Sequence, residues 1–276
     1  AWMLSKLTGV PYLLTAHLGD VPGGVPEKTG RWFRWVYPFT PPIWKSASDV
    51  YGVSEFTRSL AKAHYGLDIG VIPNGVNLDL LKPDGLDVGS PPRIIFAGRF
   101  VHQKNPVRIV RTLSALKRLP WDCVMLGDGP LQAQVQNEIE RHQLQDRFTL
   151  TGWVSPEEVI EWFGRSDILF MPSLSEGLPV VGVQALAMGL AIVANPVGGF
   201  VDLVEQGENG FLLNGNGLNG ERALRKLLTS RQKVKACRLA SRQIASRFCV
   251  KGIVSSYEDV LLAVGNGNGV LETEAG

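Results

Sequence analysis

Cysteine is scarce in this sequence, and this scarcity argues against disulfide-rich and zinc-binding classes. Cys123, Cys237 and Cys249 are the only cysteines among 276 residues, and they lie far apart. Three scattered thiols form neither a metal-binding spacing nor an even disulfide set. We therefore expect a reducing environment, the cytoplasm. The composition, 45% hydrophobic and 20% charged, is typical of a soluble globular protein.

The chain also lacks a strong excess of one charge. Its net charge of +2 is too small to predict a nucleic-acid partner. The cations are nevertheless unevenly placed, because residues 93–118 contain no acid. That segment holds Arg93, Arg99, Lys104, Arg108, Arg111, Lys117 and Arg118. Such a cluster can set up a local positive field that attracts an anionic ligand.

Charge is missing altogether from Leu178 to Val201, which is the pattern of a candidate membrane span. Two prolines, four glycines, Gln184 and Asn195 interrupt this stretch. We therefore interpret it as a buried helix and strand of an α/β domain. No signal-peptide pattern opens the chain, which starts with Ala1, so we expect a fragment of a longer protein.

Short apolar runs alternate regularly with helix-like segments. The predicted strands are Val10–His17, Ser48–Val53, Gly70–Ile72, Arg93–Ala97, Trp121–Leu126, Phe148–Thr151, Ile168–Met171, Ala191–Ala194 and Phe211–Leu213. The helix after Asn105 is predicted to run to about Arg118. Such alternation predicts the α/β class, with parallel, doubly wound sheets and right-handed crossovers. Residues 78–92, rich in proline and glycine, are the best candidate for a linker.

The stretch Met171–Val201 has the features of an anion site. A buried strand is followed by a loop carrying Glu176, and Pro179 is predicted in the first turn of the next helix, whose free amides face an anion. Gln184 lies on that helix and can point back toward its N-terminus. Gly198 and Gly199 offer backbone that can approach a ligand closely.

These residues resemble the donor-site signature of retaining glycosyltransferases of the GT-B fold, the glycosyl transferases group 1 family. The resemblance rests on Pro172-Ser173, Glu176-Gly177, Pro179, Gly189 and Val197-Gly198-Gly199. The mark of that family is a Glu-x7-Glu motif, and here Gln184 replaces the second glutamate. A glutamine still accepts a hydrogen bond from a hydroxyl but lacks the negative charge.

The resemblance implies two Rossmann-like domains, of which the N-terminal one is incomplete, since only about three strands precede the linker. We expect a partial acceptor-side domain with linker in 1–88 and a donor-binding domain in 89–250. A helix in 251–264 is expected to cross back, and 265–276 to form a flexible tail.

The resemblance also implies residue roles. Glu176 contacts the transferred sugar, Gln184 takes the place of the ribose-binding residue, and His17 contacts the donor sugar. Arg99 and Lys104 stabilise the charge that grows on the leaving diphosphate. The donor site is completed by Gly98, Gly177, Leu178, Pro179, Gly198 and Gly199. Trp153 and Val154 are candidates for the nucleobase contact, with core packing as an equal alternative.

The implied reaction moves a sugar from a nucleoside-diphosphate sugar to an acceptor, with retention of anomeric configuration and without a metal cofactor. The sequence has no Asp-x-Asp-like acidic pair in a loop, which is the pattern that would predict a divalent metal ion. The acceptor stays open among sugars, lipids and small molecules. The aromatic and basic segment 31–45 is a candidate for peripheral membrane contact, against a helix broken at Pro38 and at Pro41-Pro42.

Two other functions stay open on the sequence. A nucleotide-sugar-binding module without turnover is favoured by Gln184 and by the short N-terminal domain. A GT-B epimerase would bind the same ligand, but it would need a further carboxylate base that is not evident. A dehydrogenase is disfavoured, because Gly127-x-Gly129 is followed by Gln132 where a dinucleotide fingerprint has a third glycine.

Overall fold

A computed structural model of the chain describes residues 1–24, 33–213 and 219–266, without the side chains of Asp20, Phe33 and Arg34. Within these ranges nine strands form two sheets, one of three strands and one of six. Every pairing between neighbouring strands is parallel. The predicted α/β class with parallel sheets is therefore confirmed.

The N-terminal sheet has the order β1-β2-β3. Its elements are α1 (Trp2–Thr8), β1 (Leu13–Ala16), α2 (Phe33–Val36), α3 (Thr40–Lys45), β2 (Asp49–Gly52), α4 (Glu55–Tyr65) and β3 (Gly70–Val71). A small core covers it, in which the rings of Trp44 and Tyr65 stack at 4.3 Å. Ser54 caps α4 by accepting a hydrogen bond from the amide of Thr57, as a serine before a helix predicts.

The second sheet has the order β6-β5-β4-β7-β8-β9. Its elements are β4 (Arg93–Ala97), α5 (Pro106–Ser114), β5 (Asp122–Leu126), α6 (Gln132–Arg141), β6 (Phe148–Gly152), α7 (Pro156–Gly164), β7 (Ile168–Met171), α8 (Val180–Ala187), β8 (Ala191–Ala194), α9 (Phe200–Leu203), β9 (Gly210–Leu212), α10 (Gly220–Leu228), α11 (Arg231–Ile244) and α12 (Val250–Gly265). The strand order reverses between β4 and β7. In open parallel sheets, the carboxyl ends of the strands at such a reversal flank a crevice that binds ligands.

Helix α5 is shorter than predicted, since it ends at Ser114 and not near Arg118. The carbonyl oxygens beyond it are taken by other donors. The indole of Trp121 donates to the carbonyl of Leu116, and the guanidinium of Arg147 donates to the carbonyls of Lys117 and Leu119. These donors come from later in the chain, so the local pattern of residues 105–118 could not show them.

Helix α12 returns to the N-terminal half. The backbone of Val76 pairs with Phe248 and Val250 just before and at its start, each at 2.9 Å. Farther along, the hydroxyl of Tyr257 lies 3.4 Å from that of Thr15 at the end of β1. The domain boundaries themselves stay a prediction, and residues 267–276 of the expected tail lie outside the described residues.

The segment 31–45 divides its aromatic side chains between core and surface. Trp44 is buried, whereas Trp35 and Phe39 are 84% and 68% exposed. The helical path is interrupted by a 3-10 turn, Tyr37–Phe39, which contains Pro38. Helix α3 then begins at Thr40, with Pro41 and Pro42 in its first turn. Arg31 and Trp32 lie outside the described residues, and membrane contact stays a prediction. No helix in the described ranges has the length and apolarity to span a bilayer.

A buried ion pair ties the segment before β4 to the large sheet. Arg238 and Asp167 lie in contact, with side chains 2% and 3% exposed. Asp167 also accepts from the amides of Gly89 and Arg93, and Arg238 donates to the carbonyl of Gly189. Both charges thus have hydrogen-bond partners besides each other, which makes their burial tolerable. Burial still lowers the pKa of Arg238.

We expect Arg238→Met to lower the free energy of unfolding by about 3–5 kcal/mol, because it leaves Asp167 buried without a counter-charge. Lys235→Met on the same helix is the matched control. Lys235 pairs at 2.8 Å with Asp87, whose side chain is 91% exposed. Such an exposed pair is screened by solvent and contributes little to stability, so we expect a much smaller loss from this control. Urea unfolding measures both variants, and equal losses would contradict the expected difference.

Asp202 gives the chain a predicted pH dependence. Its carboxylate accepts from the amide of Glu55 at 3.1 Å, and burial raises the pKa of Asp202, with the Glu55 charge adding to the rise. A raised folded-state pKa means that ionising this acid costs stability as the pH rises through that value. Asp202→Asn should therefore be more stable than the parent at pH 7. The advantage should vanish below about pH 4, where the unfolded acid is also protonated. Melting temperatures that differ equally at both pH values would contradict this.

Candidate functional site

Two loops meet at the carboxyl ends of β4 and β7, where the strand order reverses. The first, residues 98–105, is called here the Lys104 loop, and the second, residues 172–179, the Glu176 loop. The amide of Leu174 donates to the carbonyl of Gln103 at 2.7 Å, so the loops are in direct backbone contact. The structure therefore brings the loop that carries Arg99 and Lys104 against the loop that carries Glu176.

An ion pair between Lys104 and Glu176 lies at the centre of this contact. The ammonium of Lys104 is 2.7 Å from Oε1 and 2.8 Å from Oε2 of Glu176. The side chain of Glu176 is 6% exposed, and that of Lys104 is 20% exposed. From the sequence, Glu176 is costly to bury unless it binds a partner. Within the chain, that partner is Lys104.

Gly198 and Gly199 pack against the Glu176 loop. A Cβ at Gly198 would lie 1.6 Å from the carbonyl oxygen of Glu176, and one at Gly199 would lie 2.7 Å from that of Gly177. Gly198 also has a φ of +56°, which a side chain disfavours. From the sequence, Gly198 and Gly199 were expected to let the backbone approach a ligand closely. In the structure, the close approach is to the protein's own backbone at residues 176–177.

Helix α8 begins one residue later than predicted, at Val180, with Pro179 as its N-cap. Pro179 has a ψ of 117°, and its carbonyl accepts from the amides of Gly182 and Val183. The amides of Val180 and Val181 precede the helical ladder, and so they can still face an anion. Leu178, just before the cap, is buried.

Gln184 lies on α8 and is half-buried. No hydrogen-bond partner of its side chain is found among the described residues. Arg99 follows Gly98 at the end of β4 and is exposed, again without an ion pair in the described part of the chain. Both side chains keep their hydrogen-bonding capacity for a ligand.

Trp153 follows the carboxyl end of β6 and is 78% exposed. This exposure excludes core packing for Trp153, and its contact with a nucleobase stays a prediction. Val154 differs, since it is half-buried against the main core. Strand β6 lies two positions from β4, about 10 Å at the usual spacing of strands.

His17 is exposed just beyond the carboxyl end of β1. Its neighbour Leu18 contacts the Glu176 loop, because a Cβ at Gly177 would lie 3.3 Å from the Cβ of Leu18. The N-terminal half thus reaches this loop beside His17. The role of His17 in contacting a sugar stays a prediction.

Three carboxamide side chains at the site were missed by the sequence argument. Asn74, Gln103 and Asn195 each donate to a carbonyl oxygen of the Glu176 loop. Asn195 was interpreted only as a break in an apolar run, and no role at the site was predicted for Asn74. Their positions just after β3 and β8, at the carboxyl ends of the strands, were the available signal.

A groove of about 750 Å³ opens at the amino ends of strands β4 and β5, beside Pro92 and Asp122. One of its cations, Arg147, already donates to the carbonyls of Trp121 and Leu119. The predicted site residues lie at the other end of the sheet, beyond the carboxyl ends of the strands.

Two family models match the chain. The model described as Glycosyl transferases group 1 matches residues 81–244, and the model described as Glycosyltransferase Family 4 matches residues 1–80. An uncharacterised glycosyltransferase of Methanocaldococcus jannaschii is 27% identical over 264 residues, which are 94% of this chain and 71% of the relative. A 2-deoxystreptamine glucosyltransferase of Streptomyces kanamyceticus is 30% identical over 220 residues, 72% of this chain and 56% of the relative.

Solved structures share the fold. Sucrose-phosphate synthase from Thermosynechococcus elongatus superposes with a TM-score of 0.83 at 20% identity, over 96% of this chain and 71% of that chain. Anabaena HepE in complex with UDP and glucose gives 0.79 at 22% identity, over 95% and 74%. At such identities the likeness shows the fold alone. The shared fold is the GT-B arrangement of two Rossmann-like domains, and the predicted fold class is thereby confirmed.

The packing of Gly198 leads to a prediction with an internal control. Gly198→Ala combines left-handed backbone strain with a clash at the Glu176 carbonyl, and we expect a loss of at least about 3 kcal/mol in the free energy of unfolding. Gly207→Ala isolates the strain, because Gly207 has a φ of +84° and no atom within 4 Å of an added Cβ. We expect that control to lose about 1–2 kcal/mol. Denaturant unfolding compares the two, and similar losses would show that the Gly198 contact is loose.

Proposed function

Because the chain belongs to the glycosyl transferases group 1 family, we propose that it moves a sugar from a nucleoside-diphosphate sugar to an acceptor, with retention of anomeric configuration. The observation that carries the proposal is the Lys104–Glu176 pair at the strand-order reversal, beside the free amides of α8. One loop there supplies a cation for a leaving diphosphate, and the other supplies a carboxylate for a sugar. The match covers 71% and 56% of the length of the two relatives above. The activity of a full-length glycosyltransferase is therefore a proposal for this chain.

The leaving group is the nucleoside diphosphate. As the bond between the sugar C1 and the diphosphate oxygen breaks, negative charge grows on that oxygen. Arg99, Lys104 and the amides at the start of α8 are charges and dipoles fixed in advance, and they stabilise this charge more than the ground state. The cations take the place of a metal, so we propose a metal-independent reaction.

Glu176 acts on the sugar. Its carboxylate orients the sugar hydroxyls and offsets the positive charge that develops at C1. Lys104 is still 20% exposed, so a diphosphate can compete with Glu176 for its ammonium. His17, beside the same loop, is proposed to contact the donor sugar.

Residues near the carboxyl ends of the strands are proposed to make the remaining contacts with the nucleotide sugar. The exposed indole of Trp153 is proposed to stack on the nucleobase, and Gln184 to accept a hydrogen bond from a ribose hydroxyl. UDP is the first nucleotide to test, since HepE was solved with UDP and glucose. Val154, which packs partly on the main core, is the second candidate for the nucleobase contact.

The acceptor is a sugar, a lipid or a small molecule. The exposed rings of Trp35 and Phe39 support a membrane-adjacent acceptor and a peripheral position on the cytoplasmic side of a membrane. A second candidate function is nucleotide-sugar binding without turnover. It is favoured by Gln184, which carries no charge where the family pattern has a glutamate.

The proposal is tested first by ligand binding. Melting temperatures are measured with saturating UDP, GDP or ADP, each with EDTA and with Mg²⁺. We expect one nucleotide to raise the melting temperature in EDTA by mass action and Arg99→Ala to abolish the rise. Arg118→Ala is the matched control, since it removes an equal exposed charge beyond the other end of α5, and it should leave the rise intact. No rise with any nucleotide would contradict the donor site.

Turnover separates the two candidate functions. With a bound nucleotide identified, the corresponding sugar donors are incubated with panels of sugar and lipid acceptors. We expect a glycosylated product whose anomeric proton shows the configuration of the donor, and Glu176→Gln to reduce its formation at least 100-fold. Nucleotide binding without product over the panels would favour the binding module, and an inverted product would contradict retention.

A further inference from the structure

The Glu176 loop has an unusual hydrogen-bonding requirement. Residues 172–179 form neither helix nor strand, and yet Pro172, Ser173 and Glu176 are buried. A buried carbonyl oxygen without a donor costs stability, and before Pro179 no helix or strand in the described part of the chain supplies one by its backbone. The donors must therefore come from side chains or from other loops.

Three carboxamide side chains supply them. Nδ2 of Asn195 donates to the carbonyls of Pro172 and Ser173, at 3.0 and 2.9 Å. Nε2 of Gln103 donates to the carbonyl of Ser175 at 2.8 Å. Nδ2 of Asn74 donates to the carbonyl of Leu178 at 3.0 Å.

The three donors come from separate parts of the fold. Asn195 directly follows β8, Gln103 lies in the Lys104 loop, and Asn74 lies beyond β3 in the N-terminal half. The loop is therefore fixed from both neighbouring strand ends and from the other sheet. Ser175 adds a further link to the N-terminal half, because its hydroxyl donates to the carbonyl of Gly24 at 2.6 Å.

We propose that Asn74, Gln103 and Asn195 are positioning residues that hold the Glu176 loop and thereby place the carboxylate of Glu176 for sugar transfer. The proposal rests on the function proposed above and adds residues that the donor-site motif does not contain. The anchored carbonyls at 175 and 178 flank Glu176 on both sides. Lys104 then fixes the direction of the carboxylate itself.

The chemistry of the carboxamide suits this task. A neutral N–H donor satisfies a carbonyl without placing a net charge beside the Lys104–Glu176 pair. A lysine or arginine in the same place would compete with Lys104 for Glu176. An aspartate or glutamate of the same shape would set carboxylate oxygens against carbonyl oxygens and remove the donated bond.

The experiment compares Asn195→Asp and Gln103→Glu with Asn209→Asp. Asn209 is the matched control, a fully buried amide that donates to the carbonyl of Leu203 at 2.9 Å and accepts from the amide of Glu205, away from the Glu176 loop. Hydrogen exchange of peptides covering 172–178 is measured without ligand. Melting temperature, affinity for UDP and the kcat and KM of transfer are measured alongside.

We expect Asn195→Asp and Gln103→Glu to speed exchange in 172–178 at least tenfold and to lower kcat at least tenfold, since small displacements of reacting groups are costly. UDP affinity should fall less than kcat does, because UDP lacks the sugar that Glu176 contacts, while the negative charge added beside the Lys104–Glu176 pair weakens binding of the diphosphate. Asn209→Asp should lower the melting temperature without these local effects. Asn74→Asp should also speed exchange, which would show that the N-terminal half helps to hold the loop.

Two results would overturn the proposal. One is exchange in 172–178 that is no faster in the two variants than in Asn209→Asp. The other is faster exchange with an unchanged kcat. Absence of transfer by the parent protein would instead count against the proposed function alone, since the exchange measurement still decides whether the amides hold the loop.

Discussion

The burial of Glu176 is the constraint on which the rest of the site depends. A carboxylate with 6% of its side chain exposed needs a counter-charge, and Lys104 provides it with two short contacts. Lys104 can reach Glu176 only because β4 and β7 are neighbours in the sheet. The strand-order reversal thus leaves a crevice and also brings together two charges that are 72 residues apart in the chain.

The loop that carries Glu176 is held without regular secondary structure. Glycines at 198 and 199 let a neighbouring loop close on its backbone, and carboxamides satisfy its carbonyls. The amides of Val180 and Val181, at the start of α8, have no partner among the described residues, and in the proposed function they face the diphosphate.

The two edges of the large sheet carry ion pairs with different properties. At the amino edge, Arg238 is 2% exposed and Asp167 also binds two backbone amides, so that pair is closed to other partners. At the carboxyl edge, Lys104 is 20% exposed. The first pair joins the segment before β4 to the large sheet. The second leaves part of its cation accessible, and in the proposed function a diphosphate competes for that cation.

The amino-acid sequence by itself determined the class of fold and the end of the sheet at which Arg99 and Glu176 lie. Buried apolar runs alternating with helices predict parallel strands, and side chains that follow strand ends, such as Arg99 and Glu176, must lie at the carboxyl edge of the sheet. Only the tertiary structure decided that Lys104 pairs with Glu176, that Gly198 packs on the protein's own backbone, and that Asn195 holds the Glu176 loop. It also decided the end of α5, where Arg147 takes the carbonyl oxygens. The reason is physical: periodicity and capping reflect forces among residues a few positions apart, whereas these contacts join distant segments and depend on which strands become neighbours.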